Sequence, residues 1–112
     1  MSSGYIEAGV SSGALHIHQA LASLQEELEA IDYYHQRLDV ARDEPLKAIL
    51  AHNRNDEMEH AMMLLEWLRR TMPGFDVQMK KFLFTSGDIV TLAAGAKAPA
   101  AEGSGLGLGN LK

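Results

Sequence analysis

Ala41-Arg42-Asp43-Glu44-Pro45, residues 41–45, separates two long helical stretches of this chain. Asp43 and Glu44 put negative charge at the positive start of a helix, and Pro45 carries a backbone angle already set for a first helical position. One helix therefore fades near Ala41-Arg42 and another opens at Pro45. Toward the N-terminus the helical pattern runs back to about residue 12, where Ser11 or Ser12 is the natural N-cap. It runs forward to about residue 70 and stops at Thr71-Met72-Pro73-Gly74. A shorter third helix is expected over residues 75–84, broken by Thr85-Ser86-Gly87, with Asp88 capping a last turn or two to Ala94. Two long helices across so short a turn form an antiparallel hairpin. One hairpin covers one stripe of each helix and leaves little else buried. The expected architecture is all-α: a two-helix hairpin plus a short C-terminal helix, completing a four-helix bundle by dimerisation.

Composition fits one small helical domain. The chain has 112 residues, 46% of them hydrophobic. Ten basic against 15 acidic residues give a net charge of −5. Without a basic run, that balance speaks against nucleic acid and anionic lipid as partners. The absence of cysteine excludes disulfides, zinc–thiolate sites, iron–sulfur clusters and a thiol nucleophile. No apolar stretch approaches the roughly 20 residues of a membrane span, and the first residues lack a charged-then-apolar signal layout, so a cytoplasmic location is expected. Residues 1–11 read as a flexible tail, residues 12–94 as the helical domain and residues 95–112 as a flexible linker, because five of the ten glycines fall in that last segment.

Charged residues on apolar stripes carry the functional information. On the first helix Ala20, Leu24, Glu27, Ile31, Tyr34 and Leu38 alternate steps of 4 and 3, which keeps them on one face. On the second, Leu46, Leu50, Asn53, Glu57, His60, Leu64 and Trp67 do the same. Leu64, Trp67 and Leu68 are expected in the core, and the methionines read as adaptable packing. A carboxylate on such a stripe needs a proton or a cation. Glu57 and His60, at i and i+3, stand one above the other in a chelating arrangement. Glu27 lies 14 residues before Ala41 and Glu57 lies 12 after Pro45, about 21 Å and about 18 Å of helix at ~1.5 Å per residue. The hairpin therefore brings the two carboxylates level to within about one turn.

That set is half of a di-iron carboxylate site, in which two helices give one Glu each and two others give Glu-x-x-His. Two copies supply four Glu and two His, enough to neutralise two divalent cations, and such ligands suit iron or manganese. A lone Glu-x-x-His is also common on solvated helices, so spacing leaves two other readings open. One is a non-catalytic oligomer clipped together by metal; the other is a metal-free interaction module with an acidic face.

Glu26-Glu27-Leu28-Glu29-Ala30, Leu50-Ala51-His52-Asn53-Arg54, Glu59-His60-Ala61, Leu65-Glu66-Trp67-Leu68-Arg69-Arg70 and Phe82-Leu83-Phe84-Thr85 resemble the encapsulated ferritins, ferroxidases packed inside encapsulin nanocompartments. The likeness runs in order from about residue 18 to residue 85. It implies a ferritin-like hairpin, paired through metal and assembled as a ring of dimers, typically ten subunits. It implies a ferroxidase that oxidises Fe(II) to Fe(III) with dioxygen, two iron ions per dimer, and supplies iron for mineral storage in the shell lumen. By the same likeness Glu27, Glu57 and His60 are the catalytic iron ligands, Glu26 and Glu29 line the path of incoming metal, and Tyr34 stands behind the site. His52, Asp56 and Glu59 match an outer metal site, and their i, i+4, i+7 spacing puts them on one face independently. Tyr33 stands where the family usually has Trp, beside the metal path, and Asp56 replaces the more usual Glu. Gly105-Leu106-Gly107-Leu108-Gly109-Asn110-Leu111-Lys112 resembles the encapsulin cargo-loading peptide, in which Leu106, Leu108 and Leu111 would fill pockets of the shell wall.

Overall fold

The structure, a computed structural model, describes residues 4–95. Among the described residues there are four helices and no strand: α1 (Ser12–Val40), α2 (Glu44–Thr71), α3 (Pro73–Phe82) and α4 (Ile89–Ala93). The chain divides into two compact units, Met1–Thr71 and Met72–Lys112.

The first unit is the hairpin of α1 and α2. Ser11 caps α1, its Oγ accepting the Ala14 N–H at 3.1 Å. The helix ends as Ala41 turns extended while its N–H still donates to the Arg37 carbonyl at 3.0 Å. Asp43 then starts α2: its Oδ2 accepts the Leu46 N–H at 3.0 Å and its carbonyl the Lys47 N–H at 2.9 Å. The acidic-Pro signal therefore works as expected, one residue earlier, with Glu44 rather than Pro45 first in the helix.

The stripe expected on α1 is the covered face. Ala20 is buried, and Leu24, Glu27, Ile31, Tyr34 and Leu38 are half-buried. On α2 the covered line runs through Lys47, Leu50, Arg54, Glu57, Ala61, Leu64 and Leu68, with Ala61 and Leu68 fully buried. It shares Leu50, Glu57 and Leu64 with the expected stripe but is offset at the other positions. Leu46 stays 45% exposed and Trp67 41%, so the expectation that Trp67 is core does not hold within one chain. The apolar arc of α2 is wider than the strip that α1 covers. Met62 and Met63 lie on the uncovered part. A bond between His35 Nδ1 and Arg54 Nη1, 3.1 Å, ties the two helices nearer the turn.

In the second unit α3 starts at Pro73, earlier than the expected residue 75, because a proline at N1 needs no donor and already has helical φ. It ends at Phe82, where Leu83 turns extended while its N–H still donates to the Met79 carbonyl, and Phe84 follows with a left-handed φ of 59°. Asp88 caps α4, its Oδ2 accepting the Thr91 N–H at 2.9 Å and the Thr91 hydroxyl at 2.8 Å. Leu92 is buried, and Lys81 Nζ donates to the Ala93 carbonyl at 3.3 Å, joining α3 to α4. Among the described residues no helix is long and apolar enough to cross a membrane. Leu106, Leu108 and Leu111 lie outside the described residues.

Candidate metal centre

Mid-length α1 presents Glu27 to α2, where the Glu57-to-His60 step of three residues stacks a carboxylate and an imidazole on the facing side. Ligand atoms of Glu27, Glu57 and His60 all lie within 4.8 Å of one another, and this is the one such acidic and histidine trio among the described residues. His60 Nδ1 stands 3.5 Å from Glu27 Oε1 and 3.4 Å from Glu57 Oε1. The two carboxylates are each 24% exposed and the imidazole 50%. Access from solvent is therefore through the His60 side.

Electrostatically the trio is short of positive charge. The Glu27 carboxyl is held above its ordinary value, first by its hydrogen bond with Glu57, then by burial and by the Glu57 charge, with His60 pulling weakly the other way. For His60 the largest influence is burial, which disfavours the imidazolium. The Glu57 hydrogen bond and the charges of Glu27 and Glu57 together outweigh it, so the His60 value rises. In the metal-free chain a proton thus does the work of a cation. Glu27 Oε1 is shut off from solvent and completes no hydrogen bond, with His60 Nδ1 standing 3.5 Å away. An orphaned carboxylate oxygen costs on the order of 1–3 kcal/mol, more when charged. A divalent cation between the three side chains would supply its missing partner, relieve the carboxylate repulsion and displace the proton. Two carboxylates balance one such cation per chain, and the oxygen-rich donor set with one nitrogen fits iron or manganese.

The remaining expected residues sit around this centre. Glu26 and Glu29 are exposed on α1, and Glu29 Oε2 accepts a hydrogen bond from the Tyr33 hydroxyl at 2.9 Å. Tyr34 is half-buried on the covered stripe. His52 Nε2 meets Asp56 Oδ2 at 3.1 Å on α2. Glu59, one turn on, instead lines an open groove of about 710 Å³ with Met62, Met63, Glu66, Trp67 and Arg70. Arg37 escaped the sequence reading, although its spacing from Tyr33 and Tyr34 is helical. Its guanidinium lies 5.8 Å and 5.5 Å from their ring centroids.

The EncFtn-like family model matches residues 6–86. The chain is 54% identical over 74 residues to the Ferritin-like protein of Thermotoga maritima, covering 66% of this chain and 65% of that one. It thus spans just under two thirds of that relative's length. It is 46% identical over 107 residues to the Encapsulated ferritin-like protein of Rhodospirillum rubrum, covering 85% of this chain and 76% of the relative. The crystal structure of a Nitrosomonas europaea protein superposes with a TM-score of 0.74 at 52% identity, over 77% of this chain and 97% of the other.

Proposed function

The chain belongs to the EncFtn-like family, and on that premise we propose that it is a ferroxidase, oxidising Fe(II) with dioxygen at a centre completed by two copies of the hairpin. The observation that carries this reading is the convergence of Glu27, Glu57 and His60 around a shielded Glu27 oxygen that completes no hydrogen bond. A divalent cation would give that oxygen a partner and offset the crowding of two carboxylates.

Fe(II) is the substrate; each ion gives one electron to dioxygen, so a pair delivers two. Glu27 and Glu57 bind and charge-balance the incoming ions. His60 gives up its shared proton and offers Nδ1, the ring nitrogen that faces both carboxylates. Twofold pairing doubles this set to four carboxylates and two imidazoles, the complement of two divalent ions per dimer. Glu26 and Glu29, exposed on the same helix, raise the local concentration of cations and speed their arrival. The name of the Rhodospirillum rubrum relative supports residence in an encapsulin lumen, reached through the Leu106, Leu108 and Leu111 segment, with the shell storing the product. Assembly of the dimers into a ring, as a decamer, belongs to the same proposal, as does a second cation station at His52, Asp56 and Glu59.

Aerobic Fe(II) titration tests the reading. The protein is expected to oxidise iron well beyond two equivalents per dimer and faster than buffer, and Glu27→Ala to lose that acceleration. Stoichiometric divalent binding with no acceleration would leave the metal clip in its place.

A further inference from the structure

His35 of α1 and Arg54 of α2 meet across the hairpin, with Arg54 Nη1 lying 3.1 Å from His35 Nδ1. Neither belongs to the ligand trio. His35 lies eight residues beyond Glu27 toward the turn, and Arg54 three residues before Glu57, less than one helical turn away. A guanidinium offers donors and no acceptor, and it does not give up its charge in a protein. Arg54 therefore donates, His35 Nδ1 accepts, and the His35 ring carries its proton on Nε2. The guanidinium is steadied from a second side, because Arg54 Nε donates to Asn55 Oδ1 at 3.2 Å. Arg54 is half-buried on the covered line of α2, and His35 is exposed on α1.

The metal centre needs something that apolar packing does not give. Burial of apolar surface is non-directional, and the apolar arc of α2 is wider than the strip that α1 covers. α1 could roll over that arc and keep much of its buried area. A roll of one residue position turns the side chains by about 100°, which takes Glu57 and His60 away from Glu27. A hydrogen bond is directional, made at one rotation and broken at the next.

We infer that His35 and Arg54 are positioning residues, whose bond fixes the rotation of α1 on α2 that sets Glu27 opposite Glu57 and His60 before a divalent cation arrives. That a cation then binds the trio rests on the proposed function; the alignment of the three side chains does not. The bland alternative is a surface hydrogen bond that adds a little to the stability of the hairpin and leaves the trio where it is. Such a bond does not alter cation affinity.

Mn²⁺ calorimetry on the full chain separates the two. His35→Leu, which removes the acceptor, is expected to weaken binding about three-fold, the scale of one modest hydrogen bond, with helical content by circular dichroism unchanged. His35→Asn, whose Oδ1 stands near the place of Nδ1, is expected to restore native affinity. Arg54→Met is expected to weaken binding as well, although removing a positive charge beside the centre would by itself tighten it. In that Arg54→Met background His35→Leu is expected to change nothing further. Unchanged affinity in His35→Leu, tighter binding in Arg54→Met, or the same His35→Leu loss without the Arg54 donor overturns the inference. A second arm needs neither cation nor turnover. In NMR spectra of the chelated chain, the through-space contact between the His60 ring and the Glu27 side chain is expected to weaken in His35→Leu and to persist in His35→Asn; an unchanged contact in His35→Leu overturns the inference. If the native chain oxidises no iron, or binds no cation, the proposed function fails, and this contact still decides the positioning.

Discussion

Glu27 and His60 both hold their protons more tightly than ordinary side chains of their kinds, and the sign of that shift makes a prediction. A raised folded-state value means that the proton favours the folded, cation-free hairpin. For His60 the stabilisation is fully present below its ordinary 6.5 and is lost as the pH rises through the raised value. Glu27 acts in the same direction in a window that opens above 4.5. The melting temperature of chelated protein is therefore expected to fall as the pH rises above about 6.5, modestly, because half of the imidazole faces solvent. A saturating divalent cation competes with those protons, so its stabilising effect is expected to grow over the same range. Scanning calorimetry with and without Mn²⁺ checks both slopes; a chelated protein whose melting point climbs with pH contradicts the proton-for-cation account. The residue types and the spacing of Glu27, Glu57 and His60 were legible in the chain. The orphaned oxygen of Glu27 was not, because hydrogen-bond satisfaction depends on atoms brought from the other helix.

At the scale of the elements, local chemistry does most of the work. Ser11, Asp43, Pro73 and Asp88 each mark a helix start that appears within one or two residues of the expected place, since capping is satisfied by neighbours in sequence. The packing face of α2 is different. Its apolar residues cover a wide arc, and sequence periodicity locates the middle of that arc rather than the strip that α1 covers. Ala61 and Leu68 mark the strip, Trp67 and Met62 its open flank. Leu68 has no exposed surface, so Leu68→Ala is expected to cost about 2–5 kcal/mol in urea unfolding followed by circular dichroism. Loss of less than about 1 kcal/mol would mean that the hairpin seam lies elsewhere.

For the whole molecule, the open flank of α2 bears on assembly. Trp67 is the sole tryptophan of the chain and is 41% exposed in one copy. The proposed pairing at the metal centre is expected to bury it, so fluorescence emission should shift to the red on dilution or chelation, in step with a fall in mass by light scattering. Emission that stays fixed while the mass changes would put the paired surface away from Trp67. The last segment of the chain makes a separate prediction. Deleting residues 103–112 is expected to leave helical content and iron oxidation intact and to abolish co-purification with a co-expressed encapsulin shell. Retention of loading by the shortened chain would assign targeting to another part of the molecule.

The helices, the turn that folds α1 onto α2, and the level at which three potential ligands meet are written in the amino-acid order. These depend on capping, proline geometry and a fixed rise per residue, all of them local. Which strip of α2 is covered, that ligand atoms of the three side chains converge within 4.8 Å, and that one carboxylate oxygen completes no hydrogen bond all emerge from the packed hairpin. Those outcomes depend on the rotation of one helix against another, and a pattern that repeats along a single helix holds no record of that angle.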